Sequence, residues 1–129
     1  MSNDLYQKGL EIRKRVLGEE HVRKALSNLN SFNQPLQELV TEYCWGKIWS
    51  RPVLDFKQRS MINLAMISAL NRPHELKAHV RGAINNGLTK AEISEVLLQV
   101  MVYAGVPAGV DSFRIANEVF SEMSVNEKS

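Results

Sequence analysis

The sequence predicts an all-α protein, a single domain of six to seven helices spanning residues 1–129. Three observations carry the prediction. Apolar residues recur at spacings of three and four along most of the chain, nothing alternates with period two, and prolines, glycines and a capping box fall where helices would start and stop. A chain of 129 residues can bury one modest core, and a second domain is not expected.

Each helix has its own signals. Residues 4–17 read as the first, closed by Gly18, and residues 19–29 as the second, whose first turn sets Glu19 and Glu20 against the helix dipole. Residues 30–34 are then a loop. Pro35 suits the first position of a third helix that carries Leu36, Leu39, Val40 and Tyr43 on to Trp49, before Ser50-Arg51-Pro52 stops it. Asp55 caps or begins the fourth, over residues 56–70. That helix is apolar almost all round at Met61, Ile62, Leu64, Ala65, Met66 and Ile67, which predicts a place in the middle of the molecule or in a subunit contact. Pro73 starts the fifth, which ends at Gly87 after Asn85-Asn86. Thr89-Lys90-Ala91-Glu92 is a capping box opening a sixth helix, with Ile93, Val96, Leu97, Val100, Met101 and Ala104 at helical spacing and Gly105 as its end. Pro107 starts the seventh, with Val110, Phe113, Ile115 and Val119. Residues 1–3 and 124–129 are expected to fray.

Composition removes several function classes. Sixteen basic and fourteen acidic side chains leave a formal charge of +2 with no basic stripe, so nucleic acid is not an expected partner. No run approaches the roughly twenty apolar residues that span a bilayer, and no basic-then-apolar leader opens the chain. A cytoplasmic protein that does not bind membranes is expected. One cysteine, Cys44, allows neither an internal disulfide nor a Cys-x-x-Cys pair within one chain.

The best catalytic constellation is Glu75 and His79, one helical turn apart on the same side of the fifth helix, where an acid and an imidazole can act on one small molecule. The plainer reading is a surface pair contributing a few tenths of a kcal/mol. No metal is assigned, because His74 and His79 are five residues apart and point roughly 140 degrees away from each other. On the third helix Glu42, Trp45 and Trp49 fall at i, i+3 and i+7, with Gly46 removing a side chain between the indoles. They suit either a wall for a planar ligand or the packing of a core or subunit contact. Arg51 and Arg59 could grip carboxylates, although Asp55 four residues earlier offers Arg59 a structural ion pair. Tyr103, at a helix end, could face a pocket or anchor an oligomer. Cys44 reads as a small buried residue rather than a nucleophile.

Six strings then gain meaning together: Trp45-Gly46-x-x-Trp49-x-Arg51-Pro52, Arg59-Ser60, Ala69-Leu70-Asn71-Arg72, Glu75-Leu76-x-x-His79-Val80-Arg81, Asn86-Gly87-Leu88-Thr89 and Tyr103-Ala104-Gly105-Val106-Pro107. In this order and spacing the chain resembles the carboxymuconolactone decarboxylase family, from about Gly9 to Phe120. The resemblance implies an alkylhydroperoxidase-like helical fold, a ring-like homo-oligomer (trimer or hexamer), and a carboxy-lyase without a cofactor. It also implies a step in the protocatechuate branch of the β-ketoadipate pathway, decarboxylation of 4-carboxymuconolactone to 3-oxoadipate enol-lactone. Antioxidant relatives of the same superfamily use Cys-x-x-Cys-x-x-x-His; with its histidine laid on His79 the two thiol positions are Arg72 and Glu75, so that chemistry is disfavoured. An antioxidant relative and a non-catalytic helical oligomer are the alternatives.

The implied substrate carries its own electron sink. Its departing carboxylate is attached to the carbon next to a double bond conjugated with the lactone carbonyl, so no pyridoxal, thiamine or metal is needed to take up the electron pair. The protein has to hold the carboxylate, stabilise the dienolate oxygen and return one proton. On that chemistry His79 is the expected acid, oriented by Glu75, and Arg51 and Arg59 are the carboxylate grip. Trp45, Trp49 and Tyr103 are the expected wall or donors.

Overall fold

Two glycines decide how the first part of the chain packs. In the computed structural model, which describes residues 3–125, a Cβ added at Gly9 would lie 1.9 Å from the carbonyl oxygen of Thr41, and one at Gly46 would lie 2.6 Å from that of Leu5. Helix α1 (Asn3–Leu17) therefore lies backbone against backbone on the segment that contains Thr41 and Gly46, a contact no larger residue permits. Gly46 thus makes room for α1 rather than for a gap between the indoles.

The same segment departs from the expected third α-helix. Helix α3 (Gln34–Leu39) is a single short run with Pro35 in its first turn, and the chain continues as a π-helix over Val40–Ile48. Its wider turn is fixed by i→i+5 bonding, as where the Trp49 N–H donates to the Cys44 carbonyl at 3.0 Å. π-Helix is rare, mostly confined to single turns and frequent at functional sites. Helix α2 (Glu19–Ser27) stops two residues early because asparagine side chains take over the backbone. The Asn30 Oδ1 accepts from the N–H groups of Phe32 and Asn33 at 2.9 and 3.0 Å, and the Asn33 Oδ1 accepts from Asn30 N–H at 2.8 Å. These elements form a first compact unit that runs to Asp55. Inside it Arg13, 6% exposed, donates to Gln37 Oε1 at 3.0 Å and to Thr41 Oγ1 at 3.3 Å.

A second compact unit starts at Phe56. It contains α4 (Phe56–Ala69), α5 (Pro73–Asn85), α6 (Lys90–Ala104) and α7 (Val106–Glu122), and its core is built from Leu64, Leu76, Val80, Ala83, Leu88, Ile93, Leu97, Ile115, Ala116 and Val119. Helix α4 is not buried all round. Ser60, Leu64 and Ser68, four residues apart, form its buried stripe, whereas Ile62 and Met66 are 43% and 51% exposed. Serine is tolerated inside because Asn86 satisfies Ser60: its side-chain amide donates to Ser60 Oγ at 2.8 Å.

Three helix ends close in the same way. Asn71, Gly87 and Ser124 take left-handed backbone at φ 57, 95 and 56, and the next residue bonds back over the last turn. Those bonds run from Arg72 N–H to Ile67 O, from Leu88 N–H to Ala83 O, and from Val125 N–H to Phe120 O. Ser124 and Val125, expected to fray, are thus held, and Asn3 opens α1; residues 1, 2 and 126–129 of that expectation lie outside the described residues. The capping box forms as expected, with Glu92 N–H on Thr89 Oγ1 at 3.1 Å and Thr89 N–H on Glu92 Oε1 at 2.9 Å. All regular structure among the described residues is helical, and no helix there is long and apolar enough to cross a membrane.

Candidate functional site

Helix α5 sets the two reactive side chains by what it buries. Leu76, Val80 and Ala83 recur at i, i+4 and i+7 and turn into the core, which leaves Glu75 exposed and His79 half-buried on the adjoining flank. The pair shares one side of the helix, as its spacing predicts, and His74 stands apart in solvent. Two ties fix the helix. At its end, Asn86 also reaches the Phe56 carbonyl at 3.4 Å; on its far flank Lys77 pairs with Glu122 of α7 at 2.8 Å, and Arg81 pairs with the same carboxylate. The ammonium of Lys77, bonded to Glu122, holds that carboxyl below its ordinary range, and Arg81 adds to the effect. Arg59, also in the second unit, is half-buried on α4 beside the fixed Ser60, and Tyr103 in the last turn of α6 is 84% exposed.

The other expected residues belong to the first unit. Trp45 and Trp49 are each 3% exposed and stack on one another, ring centroids 4.7 Å apart and planes 24° from parallel. Each indole covers a face of the other, so the pair is packed interior and not the open wall that a planar ligand would need. Glu42, 5% exposed, is buried near them on the π-helix, and its Oε2 has no hydrogen-bond partner among the described residues. Arg51 is exposed in the turn after the π-helix, its N–H on the Ile48 carbonyl at 3.1 Å. Cys44 is exposed on the π-helix rather than buried as expected, yet desolvation by the protein around it pushes its thiol up despite the nearby Arg13 charge, which lowers its thiolate fraction at neutral pH.

Two residues were not among the expected set. Arg72 and Ser68 flank the turn from α4 to α5, and the sequence signal for them was Asn71-Arg72-Pro73, a helix end followed at once by a helix start.

Residues 34–118 match the model of the Carboxymuconolactone decarboxylase family. The chain belongs to that family. A 4-carboxymuconolactone decarboxylase of Acinetobacter baylyi is 44% identical over 120 residues, which cover 93% of this chain and 90% of that protein. A nitrosuccinic acid decarboxylase of Metarhizium robertsii is also 44% identical, over 92% of this chain and 83% of its own length. A 4-carboxymuconolactone decarboxylase of Pseudomonas putida matches a shorter stretch, 42% identical over 41 residues, 32% of this chain and 85% of that one. As a member of the carboxymuconolactone decarboxylase family, this chain places the strings of both units, from Trp45 to Pro107, within the matched region.

Proposed function

We propose that the protein is a cofactor-free carboxy-lyase converting 4-carboxymuconolactone to 3-oxoadipate enol-lactone in the protocatechuate branch of the β-ketoadipate pathway. The observation that carries this reading is the 44% identity, spread over 93% of the chain, to a protein of that activity. The family match over residues 34–118 includes all the residues to which chemistry is assigned.

The carbon–carboxylate bond breaks, carbon dioxide leaves, and the electron pair passes through the ring double bond to the lactone carbonyl. His79 returns the proton to the carbon beside that carbonyl, with Glu75 orienting the imidazole. Arg51 and Arg59 supply guanidinium forks for carboxylate. Trp45 and Trp49 are kept in the reading as a rigid stacked pair that stiffens the first unit beside Arg51. Tyr103 meets ligand only where another subunit covers it, and the protein is accordingly read as one domain over residues 1–129 that assembles as a homo-oligomer, trimer or hexamer. Support for assembly comes from the apolar side chains left exposed in the single chain, among them Val102, Val106 and Val110 at 68%, 60% and 58%. The proposed location is the cytoplasm, in keeping with metabolism of a small organic acid.

Nitrosuccinate is the second reading, favoured by equal identity to its decarboxylase. The two acids share their logic: the carboxylate that leaves sits beside a group able to take the electron pair, the conjugated lactone in one case and the nitro group in the other. A coupled ultraviolet assay decides between them. 4-Carboxymuconolactone is generated in place from 3-carboxymuconate with a cycloisomerase and enol-lactone formation is followed, with nitrosuccinate tested in parallel. Acceleration of the first supports the principal reading; acceleration of nitrosuccinate loss alone transfers the assignment; neither removes it.

A further inference from the structure

The turn between α4 and α5 holds a cavity for which the proposed reaction has assigned no role. It measures about 90 Å³ and is bordered by Ser68, Arg72 and Leu76 on one side and by Asp111, Ser112 and Arg114 on the other. That is the liquid volume of about three waters, room enough for a carboxylate group and the carbon that bears it. Ser68 is 2% exposed and lines the cavity, and its hydroxyl has no hydrogen-bond partner among the described residues. A hydroxyl withdrawn from water without a partner costs free energy, which a ligand bonded to it would recover.

Charge selects the ligand. Asp111 and Arg114 are bonded to each other at 3.1 Å and largely cancel. The Arg72 guanidinium makes one hydrogen bond among the described residues, to the Leu70 carbonyl at 3.2 Å, and no ion pair there, Asp111 across the cavity being paired with Arg114. Four of its five donors therefore remain for an anion. Helix α5 adds its positive end, since Arg72 occupies its N-cap position and no side chain caps the free amides. The α4 end holds these groups in place, with Asn71 N–H on the Ser68 carbonyl at 3.2 Å and Arg72 N–H on Ile67 O at 3.3 Å.

We infer that this cavity is a carboxylate subsite, in which Arg72 and Ser68 hold the carboxylate that the substrate keeps while the other leaves as carbon dioxide. The inference rests on the decarboxylase reading, in which both candidate substrates are diacids. Arg72 stands at the N-cap of α5, just outside the helix, three residues before Glu75 and seven before His79.

The test compares the full chain with Arg72→Gln, Arg72→Lys and Ser68→Ala, using kcat and KM on 4-carboxymuconolactone and the melting shift produced by succinate. Arg72→Gln should raise KM about tenfold or more, with kcat within about threefold, and abolish the succinate shift. Arg72→Lys, which keeps the charge and loses the fork, should fall between. Ser68→Ala should raise KM about three- to tenfold without lowering the melting temperature in plain buffer, because the hydroxyl removed had no partner in the fold. If Arg72→Gln does not fold, the other two variants carry the comparison. Unchanged KM in the variants of an active enzyme overturns the subsite and leaves the decarboxylase reading intact. If the unmodified chain turns over neither acid, that reading fails and succinate alone decides: a shift lost in the Arg72 variants supports the subsite, and no shift overturns it.

Discussion

His79, the proposed acid, is half-buried. A fully enclosed imidazole would be hard to charge, and a fully exposed one would exchange its proton with water as readily as with a ligand. Its position follows from three neighbours that do nothing chemical, Leu76, Val80 and Ala83, which pin the adjoining flank of α5 in the core. Replacing His79 by Ala should lower kcat about a hundredfold or more while the far-ultraviolet circular dichroism stays helical. Near-normal turnover would exclude it as the acid. Side chains with reactive potential elsewhere are used differently. Cys44 has its thiol pushed up, and Trp45 and Trp49 are spent on each other, a pair contributing about 0.5–1.5 kcal/mol beyond its buried area.

At the scale of elements, close approach and charge pairing fix the helices. Gly46→Ala would set a methyl against the Leu5 carbonyl at a distance no real Cβ contact tolerates, so α1 or the π-helix must move. The expected loss is about 3 kcal/mol or more, read by urea denaturation, and a loss under about 1 kcal/mol would mean the crossing is soft. The α5–α7 tie is a milder device. Glu122 has a carboxyl held below its unfolded value of 4.5, so its contribution is present above that value and is lost as pH falls through the folded one. The melting difference between the native chain and Glu122→Gln should therefore be largest near neutrality and shrink below about pH 4. A difference constant with pH would show that the carboxylate charge is irrelevant. Exposed on both sides, this pairing should also weaken with salt.

At the scale of the whole molecule, the exposed apolar side chains call for a cover. Val102→Asp, placed at a site 68% exposed, should leave the helical content unchanged and lower the mass measured by light scattering, if Val102 lies in a subunit contact. An unchanged mass would move the contact elsewhere. The sequence was most legible where a signal and its structure are neighbours in the chain. Thr89 and Glu92 bond as their spacing says, Gly87 ends α5, and Glu75 and His79 share a side. It was least legible where the cause is distant. Apolar residues around α4 suggested the middle of the molecule or a subunit contact; within the single chain the buried stripe includes two serines, one of them satisfied by Asn86 some 26 residues away. The π-helix was invisible for the same reason, because its tight partner is Gly9, on α1 some 32 residues before Thr41. Ser68 and Arg72 escaped because their shared cavity belongs to no periodic pattern. The π-helix also makes this stretch sensitive to length more than to composition. Deleting one residue between Thr41 and Gly46 would let the backbone return to ordinary α-helical bonding, but it would bring those two contact points one residue closer in the chain and take one of them off its partner in α1. A change of length here, which leaves most letters unchanged, would therefore undo a close approach that most point substitutions leave in place.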